Sequence, residues 1–150
     1  MEELKEEIYN ECVEFVNKQL QTVENTIESN KKALMSETKS SAGDKHETGR
    51  AMLQLEMEKA GQQLEGIRLM KETLAKIDVQ KKSDISCLGS MIKTNLGTYF
   101  LSISAGQIKL SGNTYFAVSV SSPIGGLLLG KTVKDSLKFK DKSIVIERID

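Results

Sequence analysis

Long apolar runs are missing from this 150-residue chain: no stretch of about 20 residues is apolar enough to cross a bilayer as a helix. The opening residues, MEELKEEIYNE, are acidic and amphipathic, unlike the basic and then apolar pattern of a secretion signal, so a cytoplasmic protein is expected. Cysteine is scarce as well. Cys12 and Cys87 stand far apart without CxxC spacing, which points to reduced thiols rather than a disulfide framework. A single histidine, His46, has no second His or Cys at ligand spacing and reads as a solvated turn residue. Neither cysteine has a histidine to serve as base, so nucleophilic catalysis is poorly supported, and both read as small core residues. Net charge is absent too: 21 basic residues balance 21 acidic ones, and nothing in the total points to nucleic acid.

The balance conceals a split. Residues 1–83 carry 13 Lys or Arg against 16 Asp or Glu, whereas residues 84–150 carry 8 against 5, so the two parts differ in the sign of their charge. In the first part Leu4, Ile8, Cys12, Phe15, Leu20, Val23, Ile27 and Leu34 recur at mostly helical spacing among charged neighbours, a narrow helical stripe. The stripe resumes at Leu53 and runs through Met57, Ala60, Leu64, Ile67, Met70, Leu74 and Ile77, close to the 3.5-residue repeat of a coiled-coil seam. Between them lies a short polar break, residues 42–49. Two such stripes fold back as an antiparallel hairpin over residues 1–80, which at about 1.5 Å per residue would reach on the order of 45 Å. Gly61 and Gly66 interrupt the second helix at about 1 kcal/mol each relative to Ala, and close helix approach is the one reason the sequence offers for them.

After Asp78 the stretch VQKKSD ends the helical pattern, and a second domain is expected over residues 84–150. Candidate strands are Cys87–Thr94, Thr98–Ser104, Gln107–Leu110, Thr114–Val120, Ser136–Phe139 and Ser143–Ile149. Turn signals stand at Asn95/Gly97, at Ser111/Gly112/Asn113 and at Lys140/Asp141. Hairpin spacing implies a mostly antiparallel sheet. One short helix is announced by Ser122 as N-cap, Pro123 at the first position, an apolar run Leu127–Leu129 and Gly130 as the stop. The fold class is therefore α+β: a helical hairpin followed by a small sheet domain whose core face the short helix covers.

Three motifs carry chemical suggestions. Asp44 and Glu47 have the spacing of a capping box. The same pair, exposed a helical turn apart, could hold a hard divalent cation through oxygen ligands if a partner supplied the rest. Around them Lys31, Lys32, Lys39, Lys45 and Arg50 form a local basic excess, either a solvated face or a means of steering a polyanion towards the carboxylates. Gly125–Thr132 reads GGLLLGKT and matches the P-loop pattern. Leucines fill its loop positions on a Pro-started helix and only 18 residues follow, so a nucleotide phosphate site is rejected. A proline-isomerase pocket would need converging aromatics, and Tyr99, Phe100, Tyr115, Phe116 and Phe139 are about what the domain's own core requires.

Two of these stretches together resemble the bacterial GreA/GreB family of transcript-cleavage factors, and the resemblance extends over nearly the whole chain. Gly43, Asp44, Lys45, His46 and Glu47 look like the family's Gly-Asp-x-x-Glu hairpin tip. Val118–Phe139, VSVSSPIGGLLLGKTVKDSLKF, looks like its Ser-Pro-(Ile/Met) turn followed by a Leu-Gly-Lys helix end and a Val-Gly-Asp strand start. This chain departs in two places: Thr48, Gly49, Arg50 and Ala51 follow Glu47 where the family usually has Asn and then an Ala-Glu-Tyr-like stretch, and Lys134 stands where Gly is common.

The resemblance implies an FKBP-like second domain and a hairpin that enters the secondary channel of RNA polymerase. It implies that Asp44 and Glu47 help hold the second catalytic Mg²⁺ near the nascent RNA 3′ end, and that Ser122, Pro123 and Ile124 dock on the polymerase. Lys39, Lys45 and Arg50 would steer RNA. Such a protein is an accessory factor that stimulates the polymerase's own nuclease rather than an enzyme, and no sequence-specific DNA binding is expected. A non-cleaving channel regulator and a coiled-coil adaptor on an unrelated partner remain alternatives.

Overall fold

The computed structural model describes the backbone of residues 2–39 and 44–150 and the side chains of residues 3–36 and 48–150. It is an α+β protein. Two long helices, α1 (Glu2–Lys39) and α2 (Asp44–Ala75), precede strands β1 (Met91–Thr94), β2 (Thr98–Ser102), β3 (Gly106–Leu110) and β4 (Asn113–Ser119). A short helix α3 (Pro123–Leu128) and strands β5 (Ser136–Phe139) and β6 (Lys142–Ile149) follow. Among the described residues, no helix is long and apolar enough to cross a membrane.

By packing, the chain divides into two units, Val16–Lys71 and Met1–Phe15 with Glu72–Asp150. The first unit consists of helix alone. α1 contains no Gly or Pro, and its buried positions in this unit, Val16, Val23 and Asn30, fall seven residues apart. Ala60 and Ile67 repeat the same interval on α2. Strict sevenfold spacing is the signature of a seam between two helices. Val16, not the half-buried Phe15, carries this seam. Gly61 and Gly66 do not mark close helix approach: both are exposed, and a Cβ added to either would meet nothing within 4 Å.

In the second unit the strands form one six-stranded sheet in the order β3-β4-β2-β1-β6-β5. Four of its strand pairs are antiparallel, and β2 pairs with β4 in parallel. The parallel pair arises because β3 turns back onto the outer edge of β4, leaving β4 between β3 and β2. Two hairpins close through residues of positive φ, Ser111 with Gly112 and Lys140 with Asp141, as a two-residue turn matching the strand twist demands. β1 begins later than the sequence pattern suggests. Cys87 opens a turn in which Ser90 N–H donates to Cys87 O at 2.9 Å, and Ser90 Oγ accepts from Cys87 N–H. Its Gly89 lies at φ +93°, where a side chain would be strained, and a Cβ there would come to 3.0 Å from Ile77 Cγ2.

Alternation along the strands gives the sheet two covered faces. On one, Ile92, Leu101, Leu137, Ile144 and Ile146 pack with Leu128 of α3. The other carries Met91, Phe100, Ser102 and Ala117, and the first turns of α1 belong to the same unit, with Ile8 and Cys12 fully buried and Cys12 Sγ 3.8 Å from Ser102 Oγ. Tyr9 ties α1 to α2 by donating its hydroxyl to Leu74 O at 2.9 Å.

Since open space surrounds both helical glycines, Gly61→Ala and Gly66→Ala should each raise the free energy of unfolding by about 0.5–1 kcal/mol. Urea denaturation monitored by circular dichroism measures this, and a loss of stability at either position would mean that the glycine has a packing role after all.

Candidate functional site

Asp44 and Glu47 are the first and fourth residues of α2, three positions apart in one helical turn. The break in the helical pattern is thus shorter than residues 42–49, and His46 belongs to the first turn of α2 rather than to a connecting turn. The side chains of Asp44, Lys45, His46 and Glu47, and that of Lys39 at the end of α1, lie outside the described residues. Of the flanking cations, Lys31, Lys32 and Arg50 are exposed to solvent. Among the described residues no three His, Cys, Asp or Glu side chains gather into a metal site.

The second candidate region is built by α3. Ser122 adopts an extended backbone (φ −77°, ψ 159°) and accepts the Gly125 N–H at 3.1 Å, capping the helix, while its hydroxyl donates to Ser119 O at 2.6 Å. Pro123 occupies the first turn, where its missing N–H costs nothing. Gly125 is obligatory: a Cβ there would lie 1.8 Å from Ser119 O. The result is a rigid turn that leaves Pro123 in solvent and turns Ile124 inward against the sheet core. Leu127 and Leu129 nevertheless stay 38% and 42% exposed, so this corner presents apolar surface.

The P-loop-like stretch cannot cradle a phosphate, because its backbone amides are occupied. Gly126 N–H donates to Ser122 O, Leu129 N–H to Gly125 O and Gly130 N–H to Ser86 O. Lys131 N–H donates to Ser86 Oγ at 2.7 Å and Thr132 N–H to Asp135 Oδ2 at 2.8 Å. Ser86 also donates its hydroxyl to Leu128 O and its N–H to Lys131 O. This buried serine fixes the end of α3, and a lone Ser in a polar stretch gave no sign of it. The Thr132 N–H and then its hydroxyl hold the half-buried Asp135 carboxyl below the usual range. Lys134, beside it, adopts φ +78°, a conformation natural to Gly.

Burial decides the behaviour of two other groups. Cys12 is fully buried, and desolvation pushes its thiol up to about 11, only partly offset by the Ser102 hydroxyl. Lys5 is only 4% exposed and donates from Nζ to Lys81 O at 2.9 Å and Asp150 O at 3.3 Å. Its desolvation lowers its pKa, against the opposing pull of Cys87, Asp150 and Asp78. Neither the burial of Lys5 nor that of Asn30 was legible in the sequence, where both look like surface residues.

No protein-family model matches the chain, and no curated protein matches it. The class defined by the coordinates is therefore an α+β protein of two packing units, one a pair of helices and the other a mixed six-stranded sheet with one short helix.

Native-state thiol labelling at pH 8 should modify the half-buried Cys87 much faster than Cys12, which should react only on unfolding; equal rates would contradict the burial of Cys12. Because the folded pKa of Cys12 lies above that of a free thiol, its contribution to stability is complete below pH 9 and is lost as pH rises through about 11. Ser122→Ala should cost about 1 kcal/mol through the lost cap, read by thermal or urea unfolding.

Proposed function

We propose that this chain is a Gre-like transcription elongation factor that binds RNA polymerase through its secondary channel and stimulates cleavage of backtracked RNA. The observation that carries the reading is the Gly-Asp-x-x-Glu sequence at residues 43–47, whose two carboxylate residues occupy the first turn of the second of two long helices. A pair of carboxylates binds Mg²⁺ weakly and leaves positions for water and phosphate, so the tip acts only where a polymerase supplies the remaining ligands. A second metal ion held there would supply stabilisation of the attacking or leaving oxygen in an in-line displacement at a phosphodiester. Asp44 and Glu47 help to hold that ion, and Lys39, Lys45 and Arg50 draw the RNA backbone towards it. The chain is thus an accessory factor of a bacterial cytoplasm rather than an enzyme.

Three features of the second unit support the reading. A mixed sheet with one short helix on its face is compatible with an FKBP-like domain. The rigid Ser122–Ile124 turn, with exposed Pro123 and the apolar edge at Leu127 and Leu129, is suited to docking on a protein partner. Lys134 replaces a common family Gly, and its φ of +78° is what that Gly would adopt. A second reading, a channel-binding regulator that does not promote cleavage, is favoured by Thr48–Ala51, which depart from the family's continuation of the tip.

The test is 3′ transcript cleavage in artificially backtracked elongation complexes at limiting Mg²⁺. Wild type should stimulate cleavage, and Asp44→Asn and Glu47→Gln should each reduce stimulation by at least about tenfold. Helix content should not change in Asp44→Asn, since Asn caps a helix about as well as Asp. Full activity of both variants would reduce the carboxylates to capping groups. Binding without any cleavage by wild type would select the regulator, and failure to bind polymerase would leave a coiled-coil adaptor on another partner.

A further inference from the structure

A cleft of about 340 Å³ opens in the sheet unit where the start of α1 leaves part of the sheet face uncovered. It shares no lining residue with the Ser122 turn, and its chemistry follows from strand register. Lys93 on β1 and Arg148 on β6 are directly opposed across the ladder, and both line the cleft. Like charges placed opposite one another destabilise a sheet. The pairing shifts immediately after Lys93, and such bulges re-aim side chains and recur beside binding sites.

The two cations are not equivalent. Arg148 is held by Asp150, its Nε lying 2.9 and 3.2 Å from the two carboxylate oxygens, which orients the guanidinium and uses one of its five N–H donors. Lys93 is exposed, and its ammonium has no hydrogen-bond or ion-pair partner among the described residues. Asp150 neutralises one positive charge, and the second remains in the cleft. Around it stand the hydroxyl-bearing residues Thr98, Thr114 and Tyr115, and the apolar lining is Met91 and Leu4.

From this arrangement we propose that the cleft binds an organic phosphate monoester, with the phosphate between Lys93 and Arg148 and the organic body over Met91 and Leu4. A phosphate group presents three strong acceptor oxygens and close to two negative charges, which suits two cations ringed by hydroxyl donors better than a planar carboxylate does. Inorganic phosphate would leave most of the volume empty, since cavities of this size accommodate small organic ligands. The anion also removes the repulsion that the ladder register builds into the empty protein. The site requires nothing of RNA polymerase.

Isothermal titration of the full chain in a low-salt, phosphate-free buffer tests the proposal, with phenyl phosphate and adenosine 5′-monophosphate as esters and inorganic phosphate and adenosine as controls. At least one ester should bind saturably, at least about tenfold more tightly than either control. Lys93→Gln should weaken that binding at least about tenfold while raising the melting temperature of the free protein, because it removes the opposed charge. Loss of binding in that variant therefore cannot come from unfolding. Tyr115→Phe, which deletes one hydroxyl, should weaken the ester without altering the melting curve of the sheet. Absence of saturable ester binding to wild type would overturn the proposal. So would unchanged affinity in Lys93→Gln, or inorganic phosphate or adenosine binding as tightly as the esters.

Discussion

A six-stranded sheet with apolar side chains on both faces needs two covers, and the second unit depends on how this chain supplies them. α3 provides one, lodging Leu128 among Ile92, Leu101, Leu137, Ile144 and Ile146. At only six residues it cannot hold itself in place by helical hydrogen bonding alone. Ser122 caps its start, Ser86 binds the backbone beyond its end, and the absence of a Cβ at Gly125 lets it lie against Ser119 O. The first turns of α1 carry the other buried surface, Ile8 and Cys12, within the same unit. That burial draws Lys5 out of water as well, and backbone carbonyls of Lys81 and Asp150 take up its charge in place of solvent.

The same need for two covers accounts for what is left open. Where α1 begins, its side chains no longer cover the sheet, and polar and charged residues on that face, Thr98, Lys93 and Arg148, line a cleft. Were that end of the face apolar it would add to the exposed hydrophobic surface, and contiguous patches beyond a few hundred Å² are rare on soluble proteins. In the helical unit the seam is narrower, and a polar residue enters it directly. Asn30 shares the heptad column of Val16 and Val23, is 7% exposed, and its Nδ2 has no hydrogen-bond partner among the described residues. A buried amide at such a position sacrifices stability and fixes register.

Much of the architecture was legible because it is written in short-range pattern. Both long helices, six strands in the right order and α3 with its cap and its stop follow from periodicity, turn residues and the Ser122–Pro123 pair. The placement of Asp44 and Glu47 in one helical turn was legible for the same reason, since they are neighbours in sequence. Errors occurred where tertiary context overrode local preference. Cys87–Ser90 has strand-like composition but is bent into a turn by Gly89 and by hydrogen bonds through Ser90. The glycines of α2 suggested close packing because glycine often permits it, yet their surroundings are open.

The sequence by itself determined the α+β class, the element order and the pairing of two carboxylate residues in one helical turn, because these depend on contacts among residues a few positions apart. Only the tertiary structure decided that β2 and β4 run parallel, that Ser86 closes α3, that Lys5 and Asn30 are buried, and that Lys93 faces Arg148. Each of these joins residues 17 or more positions apart in the chain or depends on which surfaces remain exposed once those residues have met. Hydrophobic periodicity specifies which side of a strand is covered, but not which strand lies beside it, and the charges that meet across a ladder follow from that neighbour alone.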